Sequence, residues 1–211
     1  MLRKDMTVEE AVMENKDVMP KLADMGIDYN LVAMENLNDA LGEKNIDFDR
    51  FVEEIEGPNI YKEVEQFRDK SIEEIIKHIV TVIHPYELDM VEQIDSGFRK
   101  TIKKYYKERG EQLFVIYEIV LLIKAELVSH FSSEEEFEFK EALKGKEVDF
   151  ENLIAEHEKT IGLFDRIKVL THSYNLNTEI SEIKELEDKM KTLDTHMRKH
   201  IYLENEILFK K

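Results

Sequence analysis

Ile183, Leu186, Met190, Leu193, Met197, His200, Glu204 and Ile207 recur in unbroken steps of three and four. That period commits the segment to a helix with one inward face, the seam of a packed bundle. The seam is aliphatic or Met until its end, where a His and a Glu occupy core positions one turn apart. A carboxylate facing an apolar core costs on the order of several kcal/mol or neutralises by a pKa shift. A bound dication removes that cost, because carboxylate and neutral imidazole become its ligands. The chain must therefore fold so that something meets this His-Glu pair.

The same pattern occurs once more. Ile116, Val120, Ile123, Leu127, His130, Glu134 and Phe137 again alternate steps of four and three, on a helix expected from about Glu111 past Phe139. A further helix starts near Asp149, with Phe150, Leu153, Ile154, His157, Ile161 and Phe164 on one face. The helix that carries His200 starts near Asn177. Ahead of these, Ser71-Ile72-Glu73-Glu74 has the form of a capping box, and Ile72, Ile75, Ile76, Ile79 and Val82 continue it. Pro85 disfavours helical geometry at His84, so a kink or break is expected there. Leu88, Val91, Ile94, Phe98, Ile102 and Tyr105 then carry a helix to about Lys107, and Gly110 marks the turn. Four helices with short connections predict an all-α, up-down-up-down four-helix bundle over 71–211.

In that topology, residues early on odd helices and late on even helices lie at the same end. His84 and His157 are early; His130, Glu134, His200 and Glu204 are late. All six converge on one level of the bundle. Four imidazoles and two carboxylates exceed what one ion takes, and carboxylates bridge. The set predicts a two-metal site, with iron first, manganese second and zinc third. Glu126, one turn before His130, and Glu156 and Glu158, beside His157, are the candidates for hydrogen bonds to ligand imidazoles. His78 and His172 read as ordinary histidines. His196 falls just off the seam, Tyr202 reads as packing, and of the Glu134-Glu135-Glu136 run only Glu134 lies on the seam.

Residues 1–57 read as a small domain of four short helices. Thr7-Val8-Glu9-Glu10 is a capping box followed by Ala11 and Val12. Asp17, Asn36 and Asp47 are the expected caps of the other three, with Gly26, Gly42 and Gly57 near their ends. Gly57-Pro58-Asn59 marks the boundary, and 58–70 the linker.

A formal net charge of −17 excludes nucleic acid and argues against an anionic membrane surface. There is no Cys, which removes disulfides, thiolate catalysis and cysteine-held clusters. No apolar signal core or run of 18 apolar residues occurs, so the expectation is a cytoplasmic protein.

The residues His84, His130-x-x-x-Glu134 followed by Glu135 and Phe139, Glu156-His157-Glu158, and His200-Ile201-Tyr202-Leu203-Glu204-Asn205-Glu206-Ile207-Leu208-Phe209 resemble the iron–sulfur cluster repair di-iron proteins. Those join a short N-terminal domain to a haemerythrin-like bundle, and the resemblance covers nearly the whole chain. It implies a non-haem di-iron centre with His84, His130, His157 and His200 as terminal ligands and Glu134 and Glu204 bridging. It also implies a role in nitrosative or oxidative stress, with nitric oxide or oxygen as the small ligand and damaged iron–sulfur proteins as partners. Nitric oxide reduction and iron donation are the expected activities, and an oxygen- or nitric-oxide-sensing module is the alternative. The oxygen-carrying haemerythrins have a fifth His and end with a His and an Asp five apart, whereas His200 and Glu204 are four apart. The family's N-terminal domain has an adjacent Cys pair after a Gly-Ile-Asp-like step. Here Gly26-Ile27-Asp28 is followed by Tyr29-Asn30-Leu31. Without thiols, the domain is expected to dock a partner or form a homodimer.

Overall fold

Thr7 closes the first turn of α1 (Val8–Glu14) in both directions: its hydroxyl accepts from Glu10 N–H, and the Glu10 carboxylate accepts from Thr7 N–H. In the computed structural model, which describes residues 2–56, 60–146 and 148–211, the chain divides into two compact units, Met1–Ile60 and Tyr61–Lys211. The Gly57-Pro58-Asn59 step lies outside the described residues. Residues 61–70, read from sequence as linker, lie in the second unit, where Val64 is buried and Glu65 accepts from the Tyr202 hydroxyl at 2.6 Å.

The first unit contains five short helices among its described residues: α1, α2 (Val18–Asp24), α3 (Tyr29–Val32), α4 (Leu37–Gly42) and α5 (Phe48–Glu56). Asn36 and Asp47 act as expected, accepting from Asp39 and Arg50 N–H. Asp17 does not: it is itself helical, and no side-chain bond caps α2 there. The single-turn α3, capped by Asp28 through Asn30 N–H, has no hydrophobic period to announce it. Val8, Leu22, Leu37, Leu41 and Phe51 form the fully buried centre of this unit.

The second unit is the four-helix bundle. Ser71 caps α6 (Ile72–His78) with the expected reciprocal box. The break expected at His84-Pro85 does not occur. A π-helical segment, Ile79–Ile83, leads directly into α7 (His84–Ser133). Its wide turn, closed by His84 N–H to Ile79 C=O, absorbs the N–H that Pro85 lacks. α7 then folds back on itself. The turn is at Tyr105, the residue with non-helical dihedrals (φ −114°, ψ 27°), and not at Gly110, which is buried. The two arms run antiparallel: Tyr117 donates to Asp95 at 2.8 Å, Lys124 Nζ lies 2.6 Å from Asp95, and Glu134 comes to His84.

The second arm continues through a π segment, Glu134–Glu138, into α8 (Phe139–Leu143). The extra residue in that turn rotates the register. Phe139 is buried, while Phe137, expected on the seam, is 67% exposed. α9 (Glu151–Leu170) runs back, with Leu153, His157, Thr160, Phe164 and Ile167 inward and Ile154 turned outward. α10 starts at Ser181, four residues later than expected: Asn177 holds a positive φ, outside the right-handed helical region. α10 (Ser181–Tyr202) ends in a third π segment, Leu203–Leu208. Lys159–Glu126, Lys168–Asp194 and Leu186 against Gly97 fix the remaining antiparallel neighbours. The core runs from Val91, Phe98 and Ile116 through Phe164 and Ile167 to Leu193 and Met197. No helix among the described residues is long and apolar enough to cross a membrane.

Candidate metal centre

The aliphatic seams end together. His84, His130, Glu134, His157, His200 and Glu204 come to one level of the bundle and are all buried, with both glutamates at 0% exposure. Each carboxylate lies between two histidines, Glu134 between those on the two arms of α7 and Glu204 between those on α9 and α10. Glu134 Oε2 is 3.3 Å from His84 Nε2, and its Oε1 is 3.3 Å from His130 Nε2. Glu204 Oε1 is 3.2 Å from His200 Nε2, and its Oε2 is 3.1 Å from His157 Nε2. The donors fall into two overlapping groups within 4.8 Å: His130, Glu134, His157 and Glu204, and His84, His200 and Glu204.

These contacts are close but are not hydrogen bonds. His84 Nε2, His200 Nε2 and both oxygens of Glu134 and of Glu204 are buried without a hydrogen-bond partner. Buried polar atoms are nearly always satisfied, and leaving one unmade costs about 1–3 kcal/mol. Six such atoms facing one space identify it as a place for something that accepts their lone pairs.

The outer nitrogens settle which edge of each ring faces inward. The Nδ1–H of His84 donates to Glu135 at 2.7 Å, and that of His130 to Glu156 at 2.6 Å. The Nδ1–H of His157 donates to the Asn205 carbonyl oxygen at 2.8 Å, and that of His200 to Glu87 at 2.8 Å. Each imidazole is thus held by an acceptor from another helix, with its Nε2 lone pair aimed inward, the arrangement that metal-bound histidines use. His130 Nε2 and His157 Nε2 stand 2.9 Å apart. Two imidazoles bound at about 2.1 Å and at right angles place their nitrogens roughly 3 Å apart, so a shared cation fits between them.

Without a cation, protons substitute. Burial favours neutral His130, but Glu134 and Glu156 outweigh it and hold the ring at about 9. Burial likewise opposes charge on His200, and Glu204 and Glu87 hold its pKa well above the usual range. Burial opposes ionisation of Glu204, yet His200 and His157 keep it well below the usual range.

The three π segments surround this site: one ends beside His84, one starts at Glu134, and one contains Glu204. A π turn adds a residue to one turn and re-aims the side chains that follow; such turns concentrate at functional sites.

Of the outer carboxylates weighed from sequence, Glu156 lies here, serving His130 across the helix gap. Glu126 is instead paired with Lys159 at 2.7 Å, one turn away on the surface. Glu158 is exposed. Glu87 was missed because Leu88 was placed on the seam; Glu87 is fully buried and Leu88 only partly. Its spacing of three from His84 was the available signal. Glu135 and Asn205 each directly follow the Glu of a His-x-x-x-Glu pair, and that shared position was the signal for both. His196 Nδ1 donates to the other oxygen of Glu87 at 2.9 Å and stays outside the inner group.

Residues 78–211 match the family described as Hemerythrin HHE cation binding domain. The chain belongs to the haemerythrin family. The matched haemerythrin segment contains all six converging residues and both His-x-x-x-Glu pairs. The whole chain, first unit included, is similar to the iron-sulfur cluster repair protein ScdA of Staphylococcus haemolyticus, 23% identical over 219 residues covering 97% of this chain and 98% of the relative. The ScdA protein of Staphylococcus epidermidis is likewise 23% identical over 221 residues, with the same coverage of each chain.

Proposed function

We propose that this chain is a non-haem di-iron protein that serves in iron–sulfur cluster repair under nitrosative or oxidative stress. His84, His130, His157 and His200 are its terminal ligands, and Glu134 and Glu204 its bridges. The observation that carries the reading is the pair of glutamates, each with one oxygen directed at a histidine of either half and no hydrogen-bond partner on either oxygen. The full-length similarity to repair proteins supports the same role.

The chain's residues supply three things. The Nδ1 acceptors fix the imidazoles, so that each Nε2 already points at the site before anything binds. The aliphatic seam below the site, from Met197 and Leu127 downward, excludes water on the core side. The open positions left by a set of four histidines suit chemistry over reversible carriage. Bound iron would add sites for a small diatomic molecule and one electron per ion, the two electrons needed to couple two nitric oxide molecules and two protons to nitrous oxide and water. Donation of iron to damaged clusters is the other activity within this role. The first unit, having no thiols, acts by docking a damaged protein or a second copy.

The test is metal content and visible absorption of protein purified without added metal, followed by anaerobic nitric oxide. Two irons per chain with oxo-bridged di-ferric absorption, then single-turnover nitrous oxide from the reduced protein, are expected. Zero or one metal after iron reconstitution sinks the site. Two irons without nitrous oxide remove nitric oxide reduction, and a reversible adduct then favours binding or sensing.

A further inference from the structure

The second arm of α7 is apolar on two faces. One turns Leu113, Ile116, Val120, Ile123 and Leu127 into the core and ends at His130 and Glu134. The other looks outward. Phe114, Leu122 and Val128 are each 50% exposed, and Val115 and Leu121 nearly as much. Single exposed apolar residues are ordinary, but here five share one stripe on the face opposite the core. They also share an interval. Phe114, Leu121 and Val128 are seven residues apart, and so are Val115 and Leu122, with the small, exposed Ala125 between them. Seven is the repeat that lets one helix pack along another over several turns. From Phe114 to Val128 the stripe runs about 21 Å. Its ends differ in charge. Toward the Tyr105 turn stands Lys107, exposed and in no ion pair among the described residues. Past the other end stands Glu136, also exposed, with one oxygen on Lys140.

We propose that this outer stripe is the contact between two copies of the chain, packed antiparallel about a two-fold axis between Leu121 and Leu122. A helix with the same seven-residue repeat is what such a stripe fits, and a second copy supplies one. The charges pick the direction. About that axis Val115 comes level with the partner's Val128, Leu121 with the partner's Leu122 and Glu118 with the partner's Ala125. Lys107 and Glu136 are equally far from the axis along the sequence, so each Lys107 comes level with the partner's Glu136, twice per dimer. Parallel packing would set Glu118 on Glu118 and Glu136 on Glu136, like charges at close range. The size is that of a modest interface. Five half-exposed side chains leave roughly 400 Å² of apolar surface on each copy, and with a polar rim the pair reaches the order of 1,200 Å², the lower end for a stable complex. The stripe lies on the bundle and faces away from the six inner residues. It therefore stands apart from the two-metal reading and leaves the first unit for a damaged protein.

The test is sedimentation velocity on the full-length chain over a range reaching on the order of 100 µM, where a contact of this size holds. Wild type is expected to dimerise. Leu122→Glu, which sets two carboxylates beside the axis, is expected to weaken the dimer at least tenfold. Lys107→Glu is expected to weaken it several-fold, and Lys107→Glu with Glu136→Lys to return it to near the wild-type value. Helix content by circular dichroism and metal content are expected to match wild type in each variant, since the substituted side chains are exposed. Should Leu122→Glu fail to fold, the charge pair carries the test alone. A wild-type chain that stays monomeric over the whole range overturns the proposal. So does a folded Leu122→Glu chain that dimerises as tightly as wild type, because its contact then lies elsewhere. A dimer that Lys107→Glu leaves unchanged, or that Glu136→Lys does not restore, overturns the antiparallel pairing.

Discussion

Glu87→Gln separates a residue that organises the centre from one that only fills space. Glu87 is completely buried, and its two oxygens accept from His200 at 2.8 Å and His196 at 2.9 Å. Glutamine keeps the shape but retains one acceptor oxygen and turns an NH₂ group toward the second imidazole. Both imidazoles donate at this point, so one of them loses its acceptor. If His200 loses it, a buried N–H goes unpaired at about 1–3 kcal/mol. Loss of an outer partner of a metal-bound histidine typically lowers affinity by about 10–100-fold, or roughly 1.4–2.8 kcal/mol, so the two routes to the magnitude agree. The assay is stepwise iron titration against a chromophoric chelator. Because Glu87 touches only the His84/His200 half, one binding step is expected to weaken by that factor while the other changes far less. Wild-type affinity in both steps, or equal weakening of both, would refute the reasoning.

Glu204→Ala removes the carboxylate whose oxygens face both halves and is expected to abolish two-metal binding; full occupancy by metal analysis would contradict the bridging role. In the metal-free protein, His130 at about 9 and His200 above its usual range are protonated at pH 7, so loading is expected to release about two protons per chain, read by calorimetry in buffers of different ionisation enthalpy. A raised imidazole pKa stabilises fully below the unfolded value near 6.5 and is lost as pH rises through about 9, whereas the depressed Glu204 stabilises above about 4.5 and is lost on acidification. The metal-free Tm should therefore fall between pH 7 and pH 10, and a rise over that range would be inconsistent. Asp95→Ala leaves the Tyr117 hydroxyl and Lys124 without their buried acceptor and is expected to cost about 1–3 kcal/mol in denaturant unfolding with iron content unchanged; loss of iron would show that this network supports the site.

What was legible in the chain was its periodicity. The three-four seam of α10 carries Ile183 through Met197 into the core and brings His200 and Glu204 to the level of His130 and Glu134, because the interval between helix ends sets depth in an antiparallel bundle. Periodicity reports the face a residue occupies, not its partner on the next helix. Glu156 was weighed as a neighbour of His157 and instead meets His130, a contact that depends on the rotation of α9 about its axis. The π turns explain two further departures. A four-three count across Glu134–Glu138 predicts Phe137 inward, and the inserted residue puts Phe139 there. A Pro after His84 reads as a break under α-helical rules and becomes a continuous turn when the preceding helix is π.

The outer hydrogen bonds of the four histidines form a closed circuit. Glu87 on the first arm of α7 serves His200 on α10; Asn205, following α10, serves His157 on α9; Glu156 on α9 serves His130 on the second arm; and Glu135, following that arm, serves His84 on the first. Every helix gives one contact and receives one, so no two helices contain a complete half-site. Cutting the chain between α8 and α9 therefore leaves neither fragment able to hold an ion with correctly oriented rings. Sliding any one helix by a residue breaks two links of the circuit at once. The arrangement acts as a lock on helix register, and a chain that has found this site has found the whole bundle.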